Sequence, residues 1–337
     1  MKLHENRELF AEAITAAALP KEEGGLGIRS IFLEKDYWIC HALSLLANSD
    51  AAEHVVFKGG TSLTKGYGIG ARFSEDIDIA VLNADAMSGN QLKTLIHKTA
   101  HLMTEGLTEI PKNSTSKGSH YCKAYYQYPQ IVHEKVGAIN PGELLLEINS
   151  FANPFPYQER TITCFLTDLM VQHGQTDLIA QYEMAPFSLK LLDHRRTLTE
   201  KLVSLIRCSL ADESMQQMAA KIRHFYDLHH LLQDSECRVY LQSDDFKKDF
   251  NALLDHDRQS FSKPEGWQNR PLSESPLITD LHATWQQLQP TYLNGLPEIA
   301  YRDIPSVDDV ENSIQTLLTY LSTISYHGTN SRSKSSI

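Results

Sequence analysis

The chain has 337 residues, of which 42% are apolar and 22% charged, with a formal net charge of −11. That is ordinary globular make-up, enough for one large domain or two of average size with an ample core, and the acidic balance argues against a general nucleic-acid coat protein. No apolar run reaches membrane-spanning length, and the N-terminus lacks signal-peptide shape. Cys40, Cys122, Cys164, Cys208 and Cys237 have neither Cys-x-x-Cys nor zinc-finger spacing, so they read as reduced thiols of a cytoplasmic protein.

Residues 5 to 19 have the spacing of an amphipathic helix (Leu9, Phe10, Ala13, Ile14, Ala17), ended by Pro20 and Gly24-Gly25. A second helix is predicted from Ser30 to Ala47, and it carries the charged run Glu34-Lys35-Asp36 among Ile31, Tyr37, Trp38, Leu43, Leu45 and Leu46. Val55-Val56-Phe57 reads as a strand, Gly59-Gly60 as a tight turn, and Thr61 or Ser62 as the cap of a short helix. A glycine turn opening a helix presents free backbone amides and so makes an anion site. A Walker P-loop is excluded, because Lys58 precedes the glycines and no Gly-Lys-Ser/Thr follows them.

Next comes Arg72-Phe73-Ser74-Glu75-Asp76-Ile77-Asp78-Ile79-Ala80-Val81. Side chains alternate along a strand, so Asp76 and Asp78 leave one face while Ile77 and Ile79 pack on the other. Two neighbouring carboxylates with no built-in cation repel each other, and are natural as a ligand pair for a divalent metal. Metal on one side and phosphate on the other reads as a nucleotide-phosphate site.

Ser88 to Thr108 has helical spacing, and the alternating aromatic run Tyr121 to Tyr128 is predicted as a strand. So is Gly142 to Asn149, with Leu144, Leu146 and Ile148 on one face and Glu143, Leu145, Glu147 and Asn149 on the other. From about Asp168 the pattern turns helical, with a connecting segment at Leu178 to Met184. Arg196 to Leu205 reads as a helix, and Thr197 with Glu200 has capping-box spacing. Lys190, Arg195, Arg196, Lys201 and Arg207 outnumber Asp193 and Glu200 there, a local basic track. His224, His229 and His230 lack the spacing of a closed zinc set. Asp244 to Ser275 is expected as helices joined by long loops, Ile278 to Leu288 and Ser306 to Ile324 as closing helices, and the tail from Gly328 (328–337) as disordered.

Gly-Gly-Thr-Ser-Leu at 59–63, followed by Arg-Phe-Ser-Glu-Asp-Ile-Asp-Ile at 72–79, closely resembles the AbiEii-like nucleotidyltransferase toxins of the polymerase β-like superfamily. Glu34-Lys35-Asp36-Tyr37-Trp38, Thr-x-x-Glu-Lys-Leu at 197–202 and Lys221 to Leu228 resemble further elements of that family. The resemblance implies an α/β (α+β) fold: a nucleotidyltransferase core with a mixed sheet (1–167) and a helical C-terminal lobe (168–327) closing over the nucleotide site. It implies an NTP co-substrate and two Mg²⁺ ions held by Asp76, Asp78 and a third carboxylate, Glu147, with Glu143 as the fallback and a plain surface role for Glu147 as the alternative. Gly59, Gly60, Thr61 and Ser62 would hold phosphate together with Arg223, and Lys201 would meet the triphosphate. Asp227 is the acidic residue of the last motif, in a register that His224 leaves open. Lys35 could face the phosphate cleft or serve as a solvated partner of nearby acids. The implied role is a toxin of a bacterial toxin–antitoxin or phage-defence system, with a cognate antitoxin, that attaches nucleotides to RNA, such as a tRNA end. A protein or small-molecule acceptor, or a non-catalytic nucleotide- or partner-binding module, are the alternatives.

Overall fold

The structure is a computed structural model that describes residues 1–137, 139–152 and 154–322, so the tail expected to be disordered lies outside the described residues. Its strands are β1 (Val55–Lys58), β2 (Asp76–Val81), β3 (Thr108–Ile110), β4 (Ser116–Lys117), β5 (Tyr121–Gln127), β6 (Glu143–Asn149), β7 (Tyr157–Ile162) and β8 (Phe187–Leu192). They form one sheet in the order β3-β5-β6-β2-β1-β8-β7, with β4 paired to β5. β2 runs parallel to β6 and antiparallel to β1, while β1 runs parallel to β8. The sheet is mixed and the fold is α/β, as expected.

The alternation read from sequence holds in the central strands: Ile77, Ile79, Leu144, Leu146 and Ile148 are all buried. Ser30–Ala47 is a helix along its whole predicted length, buried nearly all round with Ile31, Phe32, Tyr37, Trp38, Leu43 and Leu46 in the core. Such a helix is a core element rather than an amphipathic surface one. Gly89–Met103 is a helix opened by a capping box between Ser88 and Gln91.

Strand β7 lies in a stretch for which no element is expected, and β8 in one expected to be helical. Phe187, Leu189 and Leu191 do alternate, which is the strand signal, whereas β7 (Tyr-Gln-Glu-Arg-Thr-Ile) is a polar edge strand with almost none. The chain divides into two compact units, Met1–Thr197 with Thr291–Ile304, and Leu198–Pro290 with Pro305–Ile337. The β7–β8 pair therefore belongs with the sheet. The second unit is helical, and its core includes Phe225, Trp267, Trp285, Phe246, Phe250 and Ile314, with Phe225 stacked on Trp285 at 5.2 Å. No helix among the described residues is long and apolar enough to cross a membrane. All five cysteines are buried and unbridged.

Candidate active site

Strand register builds the first half of the site. Asp78 is the partner of Lys58 on β1 and of Glu147 on β6, and Glu147 is in turn the partner of Lys123 on β5. Cross-strand partners share a face, so Lys58, Asp78, Glu147 and Lys123 leave the sheet on one side, together with Asp76. Both aspartates are partly exposed, while Ile77 between them is fully buried. Asp76 and Asp78 share a face as their alternation implies, and the β2–β6 register brings Glu147 beside Asp78.

The glycine turn lies directly against them. Gly59 has φ +81°, and a Cβ there would fall 2.1 Å from Asp78 Oδ2. A Cβ on Gly60 would fall 2.7 Å from Arg72 Nη2 and 3.2 Å from Ser74 Oγ. Only glycine permits that backbone conformation without strain and lets the chain pass so close to a carboxylate and a guanidinium. The helix starts at Gly59 itself, straight out of β1, and Lys58 as N-cap makes no side-chain capping bond. Thr61 and Ser62 are thus not caps. Thr61 donates its hydroxyl to the Asp76 carbonyl at 2.6 Å, and the fully buried Ser62 donates to the Gly59 carbonyl at 2.9 Å. Both pin the first turn of the helix, whose first backbone amides lack partners within the helix and form the candidate anion site.

The expectation of a carboxylate pair with no built-in cation needs correction. Lys58 shares the face of Asp78, Arg72 lies against Gly60, and Lys123 pairs with Glu147 at 2.5 Å. Tyr121 also donates its hydroxyl to Glu147 at 2.9 Å, and burial, followed by the Glu147 charge, pushes that phenol's pKa up. Sequence reading missed Arg72, Lys123 and Tyr121 as members of the site. Tyr121, Lys123 and Tyr125 share a face by alternation, but nothing in the sequence says which strand they neighbour. Glu143 is held by Lys112 at 2.5 Å and lies two residues before Leu145, the partner of Asp76, so it is further from Asp78 along β6 than Glu147.

Behind the sheet, the run Glu34-Lys35-Asp36 is entirely buried. Glu34 accepts the Ile131 and Val132 amides at 2.5 and 3.0 Å, and burial raises its pKa against those bonds. Asp36 pairs with Lys65 and accepts the Phe165 amide at 2.8 Å. Lys35 donates to the Glu75 carboxylate at 3.3 Å and to the Glu143 carbonyl at 2.6 Å. It is neither solvated nor open to a phosphate; its partners occupy it.

In the helical unit the structure brings Lys201 and Asp227 together. Lys201 Nζ lies 2.7 Å from Asp227 Oδ2, and both side chains are more than nine-tenths buried. Lys201 sits on the helix His194–Ser209 and Asp227 on the helix Ile222–Gln233. Asp227 is thus an acid that the structure pairs with Lys201. Arg223 is exposed. The capping box expected from Thr197 and Glu200 is absent, because the helix starts earlier. Asp193 accepts the Arg195 amide at 2.9 Å and carries its guanidinium, whereas Thr197 donates to the Asp193 carbonyl. Three more cations of the basic track are paired in place: Lys190 with Glu53, Arg195 with Asp193, and Arg207 with Asp257. His229 meets the Ser313 hydroxyl at 2.9 Å.

The family described as nucleotidyl transferase AbiEii toxin, type IV toxin–antitoxin system, matches residues 41–313 of the chain. Among solved structures, the nucleotidyltransferase toxin MenT4 of Mycobacterium tuberculosis H37Rv aligns with a TM-score of 0.57 at 15% identity, over 93% of this chain and 89% of that one. The likeness is one of fold. A structure from H. pylori described as a nucleotidyltransferase aligns over 88% of this chain and 98% of its own, at 16% identity and a TM-score of 0.37. No curated protein matches the chain.

Proposed function

Since the chain belongs to the AbiEii family of nucleotidyltransferase toxins of type IV toxin–antitoxin systems, we propose that it moves a nucleoside monophosphate from an NTP to a hydroxyl of RNA, at a tRNA end, using Asp76 and Asp78. Membership makes it a nucleotidyltransferase with an NTP substrate and an antitoxin partner; the acceptor, the metal and the residues are the proposal. In the step, the acceptor oxygen attacks the α-phosphorus, a new phosphoester forms, and pyrophosphate leaves with the bond that breaks.

The observation that carries this reading is the contact between the glycine turn and the carboxylate strand, with the Gly59 backbone against Asp78 and the Gly60 backbone against Arg72. A helix start lies there beside hard oxygen donors, which supports the reading, since a metal-bound triphosphate needs free amides and oxygen ligands together. The donor set fits magnesium: two partly exposed aspartates on one face, with Glu147 opposite Asp78. When bound, the ion supplies charge stabilisation for the triphosphate and a lowered pKa for the attacking hydroxyl. A second ion would have to share Glu147 with Lys123 and Tyr121. The first-turn amides of Gly59–Tyr67 orient the phosphates, and Lys58 and Arg72 offset the charge that accumulates on leaving pyrophosphate. To play the triphosphate role that the Thr-x-x-Glu-Lys-Leu resemblance gives it, the buried Lys201 would have to exchange its contact with Asp227 for the nucleotide.

The test supplies each α-labelled NTP with Mg²⁺ to the purified protein, mixed with total RNA or with total protein. Label in RNA supports the proposal. Label in protein or a small molecule instead would move the acceptor while leaving the chemistry in place. Absence of transfer to any fraction would overturn the proposed acceptor and metal.

A further inference from the structure

The helix Ser30–Ala47 contributes nothing to the chemistry above, yet it buries three consecutive charged side chains. Consecutive helix residues diverge by about 100°, so the three reach different places. Glu34 holds the 131–132 backbone, and Asp36 holds Lys65 and the start of the helix Phe165–Gln172. Lys35 alone reaches the strands that bear the candidate carboxylates.

We propose that Lys35 is a positioning residue that fixes β2 and β6 relative to each other at the ends where Asp76 and Glu143 begin them. One ammonium group joins both strands. It donates to the carboxylate of Glu75, the residue just before β2, and to the carbonyl of Glu143, the first residue of β6. β2 and β6 are parallel, with Asp76 opposite Leu145 and Asp78 opposite Glu147. Strand ends fray more readily than strand centres, and Asp76 is itself the first residue of β2. An anchor at Glu75 holds that end, and the same anchor at Glu143 holds the neighbouring strand in step with it. The geometry is costly to keep, since an amino group with 1% exposure is removed from water. Burial pushes its pKa down, against the pull of Glu75, Glu143 and Asp76. A methionine would fill the same space without that penalty, so packing alone does not explain a lysine there.

The proposal rests on the reading of Asp76 and Asp78 as metal ligands, and the experiment separates the two. Mn²⁺ binding to the full chain is measured by calorimetry for wild type, Lys35→Met, Glu34→Gln and Asp78→Asn. Electrostatics alone predicts that Lys35→Met binds Mn²⁺ more tightly, because a cation beside the site has gone. Positioning predicts the opposite, an affinity at least tenfold weaker, with kcat reduced, KM for NTP near wild type, and activity partly recovered at high Mn²⁺. Glu34→Gln loosens the same helix at another anchor and should leave Mn²⁺ affinity unchanged. Unchanged or tighter binding by folded Lys35→Met overturns the proposal, as does an equal loss in Glu34→Gln. Should Lys35→Met not fold, Glu75→Gln and Glu143→Gln remove the same charge from the two strand ends, and only the first weakens a Lys35 contact, from an ion pair to a hydrogen bond with a neutral acceptor. Positioning then requires a loss several-fold larger in Glu75→Gln, and equal losses refute it. Asp78→Asn that binds Mn²⁺ like wild type removes the metal-site reading itself; loss in Asp78→Asn without loss in Lys35→Met removes only the role of Lys35.

Discussion

The two units carry their candidate charged residues in opposite settings. In the sheet unit, Asp76 and Asp78 are partly exposed, fixed to a backbone ladder, and surrounded by Lys58, Arg72 and Lys123 on the same face or against the adjoining turn. In the helical unit, Lys201 and Asp227 are buried and hold each other, from two different helices. A partly exposed cluster on a rigid ladder can lose one charge and keep its shape. A buried pair cannot, because the survivor is left without compensation. Substitutions in the first region should therefore act on chemistry alone, and those in the second on chemistry and folding together.

The largest expected effect follows from that contrast. Asp78→Asn should lower nucleotide transfer by about a thousandfold or more, equivalent to roughly 4 kcal/mol of transition-state stabilisation, while thermal unfolding stays near wild type. Lys201→Met should lose transfer and also about 3–5 kcal/mol of stability. The double variant Lys201→Met with Asp227→Leu should regain much of that stability but none of the transfer. A chemical-denaturation cycle over the four proteins checks this, and additive losses would show that the pair is not a unit.

Acidification should strike the sheet unit through His41, on the buried helix. Burial holds that imidazole down to about 4, against an ordinary value near 6.5 in the unfolded chain. Between those values the unfolded chain binds a proton that the folded one refuses, so stability is lost as pH falls from about 6.5 to 4. The loss reaches at most about 3 kcal/mol. Comparing unfolding of wild type and His41→Phe across that window isolates the effect; parallel curves would contradict it. Gly59→Ala should cost about 1–3 kcal/mol for a non-glycine residue held at positive φ. It should also reduce transfer, by driving a methyl group at Asp78.

Much of the sheet unit was legible in the sequence because a strand's period of two is local. Asp76 with Asp78, and Glu147 with Leu145, could be assigned to faces without any knowledge of neighbours. What was not legible is register. That Lys123 stands opposite Glu147, and Lys58 opposite Asp78, depends on which strands meet. Lys201 and Asp227 could be read from motif resemblance, but not their mutual burial, which two helices create by packing. Lys35 shows the same limit, since a charged residue on an apolar helix reads as solvent-facing until the elements around it are known. The cap at Asp193 was missed because Thr197 and Glu200 offered a better local match one turn later.

The carboxylates beside the Gly59–Gly60 turn are assigned the metal, and the amides of that turn the triphosphate. Anomalous scattering from a crystal grown with Mn²⁺ and a non-hydrolysable NTP tests this assignment most directly. A manganese peak bound by both Asp76 and Asp78 is expected, with the phosphates over the first turn of the helix Gly59–Tyr67. Nucleotide bound in the crystal with manganese away from both aspartates would contradict it.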